Sequence, residues 1–468
     1  MGARRAGSFL TALALLALIG CSGKTTGATN TTDTSATLRA TARCDSNETC
    51  RWYWEYWRDG SPRSTSVKTP VYGPVKGPSG DIDLSVDISG LDEGAAYRYV
   101  ICGKPSDSGG FSCVGPNGQA SAPTADPPPD SDTIDLVGAA TLAERWNGTT
   151  WTLQNIPNQD RFNGLNDVSC TSSSACTAVG FSGSGNQHAL AERWNGTSWT
   201  IQTTPATSGD SQLYGVSCAS STACIAVGTN GSGPLAERWN GTSWTIQTTP
   251  ALPAGTQSAR LDGVSCSSAT ACTAVGSYQD GSEGLHNLIE RWNGTSWTLQ
   301  SSPATSFATL SGVTCLSSTS CFAVGFGQPS ALAESWNGTT WTVQSTPAAP
   351  GDAIYAVLGR ISCTSASACT AVGNYGGGGS GHHTLIERWN GSSWALQSTP
   401  QTSDLNGVSC TSATACRAVG GRGGFPAVAE RWDGTTWTSQ PPPQPPNAAS
   451  LTGLSCTATT ACIAVGTQ

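Results

Sequence analysis

The pattern of apolar and polar positions repeats along this chain from residue 134 to residue 468. One half of the repeat reads Leu-x4-Cys-x5-Cys-x-Ala-Val-Gly, and the other reads Glu-Arg-Trp-Asn-Gly-(Thr/Ser)-(Thr/Ser)-Trp. Short stretches of alternating residues bounded by turn residues are typical of β-strands. Each half therefore predicts one β-hairpin, and the Asn-Gly step is a strong signal for the turn of the second hairpin.

The order of the halves predicts how the array closes. A tryptophan half comes first, at Glu144, and a cysteine half comes last, ending at Gly466. Seven halves of each kind are present, and the first cysteines of successive copies are 46 to 49 residues apart. A repeat of this length is typical of a β-propeller with four-stranded blades. We predict an all-β, seven-bladed propeller in which N-terminal and C-terminal strands share one blade and leave no open edge.

The cysteines predict disulfides and an oxidising compartment, since 18 of the 19 fall into local pairs. The pairs in the repeats are Cys170/Cys176, Cys218/Cys224, Cys266/Cys272, Cys315/Cys321, Cys363/Cys369, Cys410/Cys416 and Cys456/Cys462. Four more cysteines lie between residues 36 and 120, and three connectivities are possible there. We favour Cys44–Cys50 and Cys102–Cys113, because each pair flanks a short polar turn.

The N-terminus predicts export. Arg4 and Arg5 precede a short apolar run that ends at Ile19, which is the pattern of a signal peptide over residues 1–20. The run is shorter than the roughly 20 residues that a membrane-spanning helix needs. The sequence Leu-Ile-Gly-Cys ending at Cys21 resembles a bacterial lipobox, and this resemblance implies that Cys21 is lipidated. The alternative is a secreted protein cut nearby, with Cys21 removed or unmodified.

Three segments separate the signal from the propeller. Residues 21–35 are predicted to be a polar, flexible tether. Residues 36–120 alternate like half-buried strands, and the stretch from Leu91 to Tyr99 resembles the tyrosine corner of fibronectin type III domains. That resemblance implies a β-sandwich in which Tyr97 turns the chain. Residues 121–133 are rich in proline and are predicted to be a semi-rigid spacer before the propeller at 134–468.

The propeller repeat resembles Asp-box propellers, in particular the photosystem II assembly-factor type and the sialidases. The turn Asp433-Gly434-Thr-Thr-Trp437 is nearest to that pattern, and the other six copies have Asn in place of Asp. The resemblance implies the fold, and it implies that these turns are structural and lie away from the functional face.

The loops predict where a ligand binds. Both hairpin turns are nearly constant among the copies and belong to one face, here the constant face. The connections on the opposite face differ in length and sequence, and this variable face is the expected binding surface. It carries the histidines His188, His286, His382 and His383. The candidate binding residues on this face are Tyr214, Tyr278, His286, Tyr355 and Tyr375.

Other features have a structural and a functional interpretation. The aromatic stretch of the small domain offers Trp52, Trp54 and Trp57 as a surface strip for a glycan or a protein, with core packing as the alternative. The fourteen repeat tryptophans are expected to pack between blades. The repeated Glu-Arg pairs are expected to form ion pairs between neighbouring blades. The histidines come from separate loops, so we expect no metal site, and no cofactor signature is present.

The net charge of −8 and the pI of about 5.0 argue against a nucleic-acid partner. The first hypothesis is a lipoprotein at the bacterial cell surface or envelope, whose variable face binds an extracellular protein or glycan. The first alternative is a carbohydrate-active enzyme, most plausibly a glycoside hydrolase, for which Arg161, Arg260, Arg360 and Arg422 would be the sialidase-like ingredients. No motif marks a catalytic residue. The second alternative is an architectural envelope protein.

Overall fold

The computed structural model describes residues 21–29, 35–44, 49–58, 66–76, 82–89, 91, 96–105, 112–114, 120–121, 132–135 and 140–468. The last range has gaps at 161, 184–186, 208, 232, 283, 304–308, 352, 378–379, 401–402, 422–425 and 444–448. The described residues form strands and no helix, and so contain no helix that could cross a membrane. The chain divides into two compact units, Met1–Gly138 and Ala139–Gln468.

The described strands of the first unit form two antiparallel sheets. They are β1 (Cys21–Thr29), β2 (Ser35–Cys44), β3 (Thr49–Arg58), β4 (Val67–Lys68), β5 (Tyr72–Lys76), β6 (Ile82–Ser89), β7 (Ala96–Pro105), β8 (Ser112–Val114), β9 (Ala120–Ser121) and β10 (Asp132–Asp135). One sheet has the order β1-β2-β6. The other has the order β4-β3-β7-β8-β9, with β5 paired to β3 and β10 paired to β7.

One hydrophobic core joins the two sheets of this unit. It contains Leu38, Ala40, Leu84 and Ile88 from the first sheet and Trp52, Trp54, Tyr56, Tyr99 and Ile101 from the second. Because side chains alternate along a strand, the other face of β3 carries a second buried cluster. That cluster contains Tyr53, Trp57, Val100 and Cys102. The unit is a β-sandwich, and its strand β3 is covered on both faces.

The second unit consists of seven four-stranded blades, and two neighbouring blades are joined into one eight-stranded sheet where Phe326 and Gly327 pair with Val357 and Ala356. Blade 1 is β13 (Asn163–Ser172), β14 (Ala175–Ser182), β15 (His188–Trp194) and β16 (Trp199–Gln202). Blade 2 is β17 (Ser211–Ser220), β18 (Ala223–Asn230), β19 (Gly233–Trp239) and β20 (Trp244–Gln247). Blade 3 is β21 (Thr256–Ser268), β22 (Ala271–Asp280), β23 (Leu285–Trp292) and β24 (Trp297–Gln300).

The remaining blades follow the same order. Blade 4 is β25 (Thr309–Ser317), β26 (Ser320–Gly327), β27 (Leu332–Trp336) and β28 (Trp341–Gln344). Blade 5 is β29 (Tyr355–Ser365), β30 (Ala368–Gly377), β31 (Ser380–Trp389) and β32 (Trp394–Leu396). Blade 6 is β33 (Leu405–Ser412), β34 (Ala415–Gly420), β35 (Val428–Trp432) and β36 (Trp437–Ser439). Blade 7 is β11 (Thr141–Trp146), β12 (Trp151–Leu153), β37 (Ser450–Ala458) and β38 (Ala461–Thr467).

Blade 7 combines both ends of the propeller sequence. Its strand order is β12-β11-β38-β37, so two strands from each end meet in one sheet. The register places Thr141 opposite Thr467 and Trp146 opposite Cys462. The other blades repeat this register, since Trp194 lies opposite Cys176 in blade 1. The predicted all-β propeller with a shared closing blade is confirmed.

Serine hydroxyls link the innermost strands of neighbouring blades. In six junctions the backbone N–H of a first cysteine donates to the serine one position before the cysteine of the preceding blade, at 2.9–3.0 Å. These pairs are Cys218–Ser169, Cys266–Ser217, Cys315–Ser265, Cys410–Ser362, Cys456–Ser409 and Cys170–Ser455. The last pair crosses the closure. Thr314 has the serine's place at the seventh junction.

A disulfide closes the first hairpin of every blade, as predicted for the repeats. The bonded cysteines are direct cross-strand partners, for example Cys170 and Cys176. The seven bonds are Cys170–Cys176, Cys218–Cys224, Cys266–Cys272, Cys315–Cys321, Cys363–Cys369, Cys410–Cys416 and Cys456–Cys462. Bonds of this number fit an extracellular or envelope protein.

The second cysteine of each bond lies in the core of the propeller and not on its surface. These residues are only 0–3% exposed: Cys176, Cys224, Cys272, Cys321, Cys369, Cys416 and Cys462. Each belongs to a hydrophobic cluster in which it packs with the repeat tryptophans. They are structural core residues, as expected for the disulfides that the sequence predicts. The spacing gives the pairing, but it does not show which strand face the neighbouring blade covers.

The cysteines of the first unit are described only in part. Cys50 and Cys102 are disulfide-bonded, and both are buried. Cys102 lies opposite Cys113 in the register. The side chains of Cys44 and Cys113 lie outside the described residues, so the pairing predicted for this unit stays a prediction.

Two short segments differ from the predicted organisation. Residues 21–29, predicted as a flexible tether, form the edge strand β1, which pairs with β2 from Cys21–Cys44 to Thr29–Thr37. An edge strand is held by its backbone hydrogen bonds and needs no apolar side chains. Residues 132–135, predicted as the end of the spacer and the start of the propeller, form β10 and pair with β7. The signal peptide and most of the spacer lie outside the described residues.

The hairpin disulfides should stabilise the propeller without being required for its strands. Replacing Cys170 and Cys176 together by Ser should lower the free energy of unfolding by about 2 kcal/mol, the value expected for closing so small a loop. Far-UV circular dichroism at 25 °C should stay unchanged, and urea denaturation should report the loss. Ser174→Ala in the same turn is the control. An unchanged midpoint for the double variant would contradict this account.

Candidate functional site

A bulge interrupts the innermost strand of every blade at the same repeat position. The pairing register shifts directly after the leucine that begins the Leu-x4-Cys motif. The bulged residues are Asn166, Tyr214, Asp262, Ser311, Gly359, Asn406 and Thr452. All seven line one cavity of about 380 Å³. Because each blade contributes one of them, the cavity lies on the propeller axis, and we call it the axial cavity.

The residue after the bulge shows which blades differ. It is glycine in five copies, at Gly215, Gly263, Gly312, Gly407 and Gly453. The next blade approaches closely here: a Cβ at Gly263 would lie 2.6 Å from the carbonyl oxygen of Ser311. The two exceptions are Asp167 in blade 1 and Arg360 in blade 5. Both departures from the repeat introduce a charge beside the axial cavity.

Arg360 connects blades that are far apart in the ring. Its Nη2 donates to the carbonyl oxygen of Tyr214 at 3.0 Å, and its Nη1 donates to the carbonyl oxygen of Gly359 at 3.2 Å. Tyr214 belongs to blade 2, whereas Arg360 and Gly359 belong to blade 5. The guanidinium therefore spans the axial cavity.

Two carboxyl groups, those of Asp167 and Asp262, lie near Arg260 and Arg360, and of these four residues Asp262 and Arg360 line the cavity. Asp167 accepts hydrogen bonds from the backbone N–H groups of Val168 and Val216, at 2.9 and 3.0 Å. Asp262 forms an ion pair with Arg260, with 3.0 Å between Oδ1 and Nε. Burial raises the pKa of both carboxyl groups. The charge of Arg360 partly opposes the rise at Asp167, and the charges of Arg260 and Arg360 partly oppose it at Asp262. The cluster thus contains two acids and two arginines.

Two amides in the cavity have a fixed orientation. The Nδ2 of Asn166 donates to the carbonyl oxygen of Leu213 at 2.8 Å. The Nδ2 of Asn406 donates to the carbonyl oxygens of Gly421 and Leu451, both at 3.0 Å. Since the nitrogen of each amide is bound to the backbone, its oxygen remains as an acceptor.

The other candidate residues of the variable face form separate groups. In blade 3 the Tyr278 and His286 rings stack at 4.8 Å, and His286 Nε2 lies 2.7 Å from Asp280 Oδ2. Hydrogen bonds from Ser282 and His286 hold the pKa of Asp280 well below its usual range. Tyr278 and Asp280 lie on β22 and His286 lies on β23, so this group links two adjacent strands of blade 3.

A second group lies on blade 5. Tyr375 stacks on His383 at 5.2 Å, and Tyr355 meets the edge of His382 at 6.1 Å. His382 Nδ1 lies 3.6 Å from an oxygen of Asp404. The structure therefore brings Tyr214 to the axial cavity. It places Tyr278 and His286 in one group on blade 3, and Tyr355 and Tyr375 in another on blade 5. Among the described residues, no group of three or more His, Cys, Asp or Glu side chains could hold a metal ion.

The aromatic strip predicted on the small domain is wrong. Trp52 and Trp54 are 1% exposed and Trp57 is 2% exposed. They cannot act as stacking platforms, because both faces of β3 are covered. The sequence suggested exposure on the assumption that only one face of that strand is buried.

The predicted Glu-Arg ion pairs are also wrong. Consecutive residues of a strand point to opposite faces. Arg193 lies over Trp239 of the following blade, with 4.8 Å to the ring centroid. Glu334 accepts from Asn287 and Ser302 of the preceding blade. Within the described part of the chain, the carboxyl oxygens of four other glutamates are buried without a protein hydrogen-bond partner: Glu144, Glu192, Glu237 and Glu290.

The sequence reasoning missed part of the axial cluster. Arg260 and Arg360 were recognised as loop arginines, but Asp167 and Asp262 were not singled out. Arg161 and Arg422 lie outside the described residues. A usable signal existed, since Asp167 and Arg360 stand where five copies have glycine. This difference between the copies identifies Asp167 and Arg360 as exceptional, but it does not show that Arg360 contacts Tyr214 across the propeller axis.

No protein-family model matches this chain, and no curated protein matches it in sequence. Among solved structures it is similar to a protein from Lactobacillus plantarum, with 9% identity over 65% of this chain and 97% of that one and a TM-score of 0.42. An auxiliary nutrient binding protein from Bacteroides thetaiotaomicron matches with 10% identity over 95% and 98%, and a TM-score of 0.33. The sensor domain of an anti-sigma factor from Pseudobacteroides cellulosolvens matches with 14% identity over 25% and 96%, and a TM-score of 0.18. The architecture of this chain is therefore established by its own strand pairing.

The buried glutamates predict a stability that falls as pH rises. Burial raises the pKa of Glu192 to about 8 from 4.5, so the folded state keeps a proton that the unfolded state loses. This contribution is complete below pH 4.5 and is lost as pH rises through 8. Glu192→Gln cannot ionise, so its melting temperature should exceed that of the wild type at about pH 9 and match it at about pH 4.5.

Glu334→Gln is the matched control for this pH effect. The side chains of Asn287 and Ser302 donate to Glu334 and oppose the rise of its pKa. Its gain at about pH 9 should therefore be smaller than that of Glu192→Gln. A wild-type melting temperature that is as high at about pH 9 as at about pH 4.5 would contradict the burial of uncharged glutamates.

Proposed function

We propose that this protein is an exported, lipid-anchored binding module that holds an extracellular protein or glycan on the variable face of its propeller. The axial cavity of about 380 Å³ carries this proposal. It is lined at one repeat position by seven residues of six different types. A repeated scaffold does not need that variety for its own packing, whereas recognition of a ligand does.

The contacts of the carboxyl groups favour binding over glycoside hydrolysis. A glycoside hydrolase needs one carboxyl group as acid and a second as base or nucleophile. Both oxygens of Asp167 accept backbone hydrogen bonds, and Asp262 is engaged by Arg260. These contacts suit groups that position the cavity wall. A purely architectural role would not explain why Asp167 and Arg360 are charged at a position where five copies have glycine.

The proposed location rests on the cysteines. The seven repeat disulfides support an oxidising compartment. The lipobox-like sequence before Cys21 supports attachment of lipid at that residue. A protein anchored in this way would present its propeller outside the cell membrane.

We assign the sandwich unit to the fibronectin type III class. One sheet contains β1, β2 and β6, and the other has the order β4-β3-β7-β8-β9, with β5 paired to β3 and β10 paired to β7. Leu91 and Tyr99 of the corner motif are buried in its core. The side chain of Tyr97 lies outside the described residues. In this role the unit acts as a spacer between the anchor and the propeller.

Variants on the two faces test the binding function. Tyr278→Ser combined with Tyr375→Ser should reduce retention of the oxidised protein on immobilised cell-wall polysaccharide or extracellular protein at least fivefold, because both rings belong to the variable face. Thr197→Ala combined with Thr242→Ala changes the constant face and should leave retention unchanged. Equal loss from both double variants, or glycoside turnover by the wild type, would count against a pure binding module.

The lipid anchor is tested separately. In cells that process lipoproteins, Cys21→Ser should move the protein from the detergent phase to the aqueous phase of a Triton X-114 extraction. Mass spectrometry of the wild type should find an acylated N-terminal peptide that begins at Cys21. An unmodified wild-type N-terminus in the aqueous phase would show that the protein is secreted without an anchor.

A further inference from the structure

Each arginine beside the axial cavity has a carboxyl group near it. Arg260 and Arg360 face Asp167 and Asp262, and Arg260 is already paired with Asp262 at 3.0 Å. A charged ligand would therefore have to displace one of these partners and leave its counterpart unpaired in a half-buried place, which is costly. The cavity is better suited to a ligand without charge.

The lining of the cavity offers both hydrogen-bond acceptors and hydrogen-bond donors. Asn166 and Asn406 present amide oxygens, since their nitrogens are bound to backbone carbonyls. Ser311, Tyr214 and Arg360 supply hydroxyl and guanidinium donors. A hydroxyl group both donates and accepts, so a ligand with several hydroxyls can satisfy this mixture.

The composition of the lining also argues against a protein side chain as the occupant. Val357 and Leu405 are the aliphatic residues that line the axial cavity. Anchor residues of protein partners usually fill apolar pockets. The volume of about 380 Å³ lies at the lower end of the range of roughly 300–1,000 Å³ for small-ligand sites.

We infer that the axial cavity holds one uncharged sugar ring, so that the ligand of the variable face is a neutral glycan bound by its end. This inference rests on the binding function proposed above and names its ligand class. Arg260 lies over one face of the Tyr214 ring, 5.8 Å from its centroid, so the sugar would stack on the other face. Arg360, held across the axis by the Tyr214 carbonyl, offers donors to the sugar hydroxyls.

Calorimetry and ligand-observed NMR with the full oxidised chain test the inference. The probes are glucose, galactose, mannose, arabinose and N-acetylglucosamine, with glucuronic acid and glucosamine as charged analogues. At least one neutral sugar should bind at a single saturable site. If glucose binds, each of its charged analogues should bind more weakly.

The variants are chosen so that folding is retained. Arg360→Gly restores the glycine that five other copies carry, and it should weaken sugar binding at least tenfold. Tyr214→Ala removes the ring but keeps the carbonyl that Arg360 binds, and it should have a similar effect. Asp433→Asn is the matched control, since it restores the residue of the other six copies on the constant face. Its affinity should equal that of the wild type.

The outcomes separate this inference from the proposed function. The inference is overturned if no neutral sugar binds, if a charged analogue binds more tightly than glucose, or if Arg360→Gly and Tyr214→Ala bind sugar like the wild type. In each case the binding function survives if the Tyr278 and Tyr375 double variant still loses retention on its target. If every variant binds both the sugar and the target as well as the wild type does, the sugar site and the proposed binding function are both rejected.

Discussion

The hydrogen bonds between the inner strands of neighbouring blades set the dimensions of the propeller. Each serine that accepts from the next cysteine N–H fixes two strands at backbone contact, and the bond between Cys170 and Ser455 extends this to the closure. Two residues before Ser455, a glycine lets the neighbouring inner strand come equally close, since a Cβ at Gly453 would lie 2.6 Å from the Cα of Asp167. The bulge lies beside this tight junction. The axial cavity is thus a consequence of how the inner strands meet.

Outside the inner ring, the blades are held by stacking between aromatic and cationic side chains. Arg193, Arg291 and Arg388 each lie over a tryptophan of the following blade, at 4.3–4.8 Å. Blade 4 has Ser335 in place of this arginine, and its cross-strand partner Phe322 lies 6.1 Å from Trp389 instead. Such contacts are worth about 0.5–2 kcal/mol each. Each of these blades therefore contacts a tryptophan of the next blade, although the side chain that makes the contact differs.

The axial site arises where this regular scaffold is broken. Asp167 and Arg360 replace glycine in two blades, and their neighbours accommodate the extra atoms beside a cavity instead of a packed core. Arg360 then reaches a carbonyl on the opposite side of the ring. The remaining variable-face groups lie farther out, where Tyr278 and Tyr375 stack on histidines of the same blade.

The features that depend on neighbours along the chain follow from the sequence alone. The repeat gave the blade count, the Asn-Gly turns and paired cysteines gave the hairpins, and the orphan halves gave the closure. Its predictions of the aromatic strip and the Glu-Arg pairs failed because they depend on which strand faces are covered. Trp57 is buried with Val100 and Cys102 of β7, and the consecutive residues Glu192 and Arg193 point to opposite faces of their strand. The tertiary structure alone decided the axial cluster, since Asp167, Asp262 and Arg360 come from blades 1, 3 and 5. Their proximity follows from closing the ring, which no local pattern of residues records.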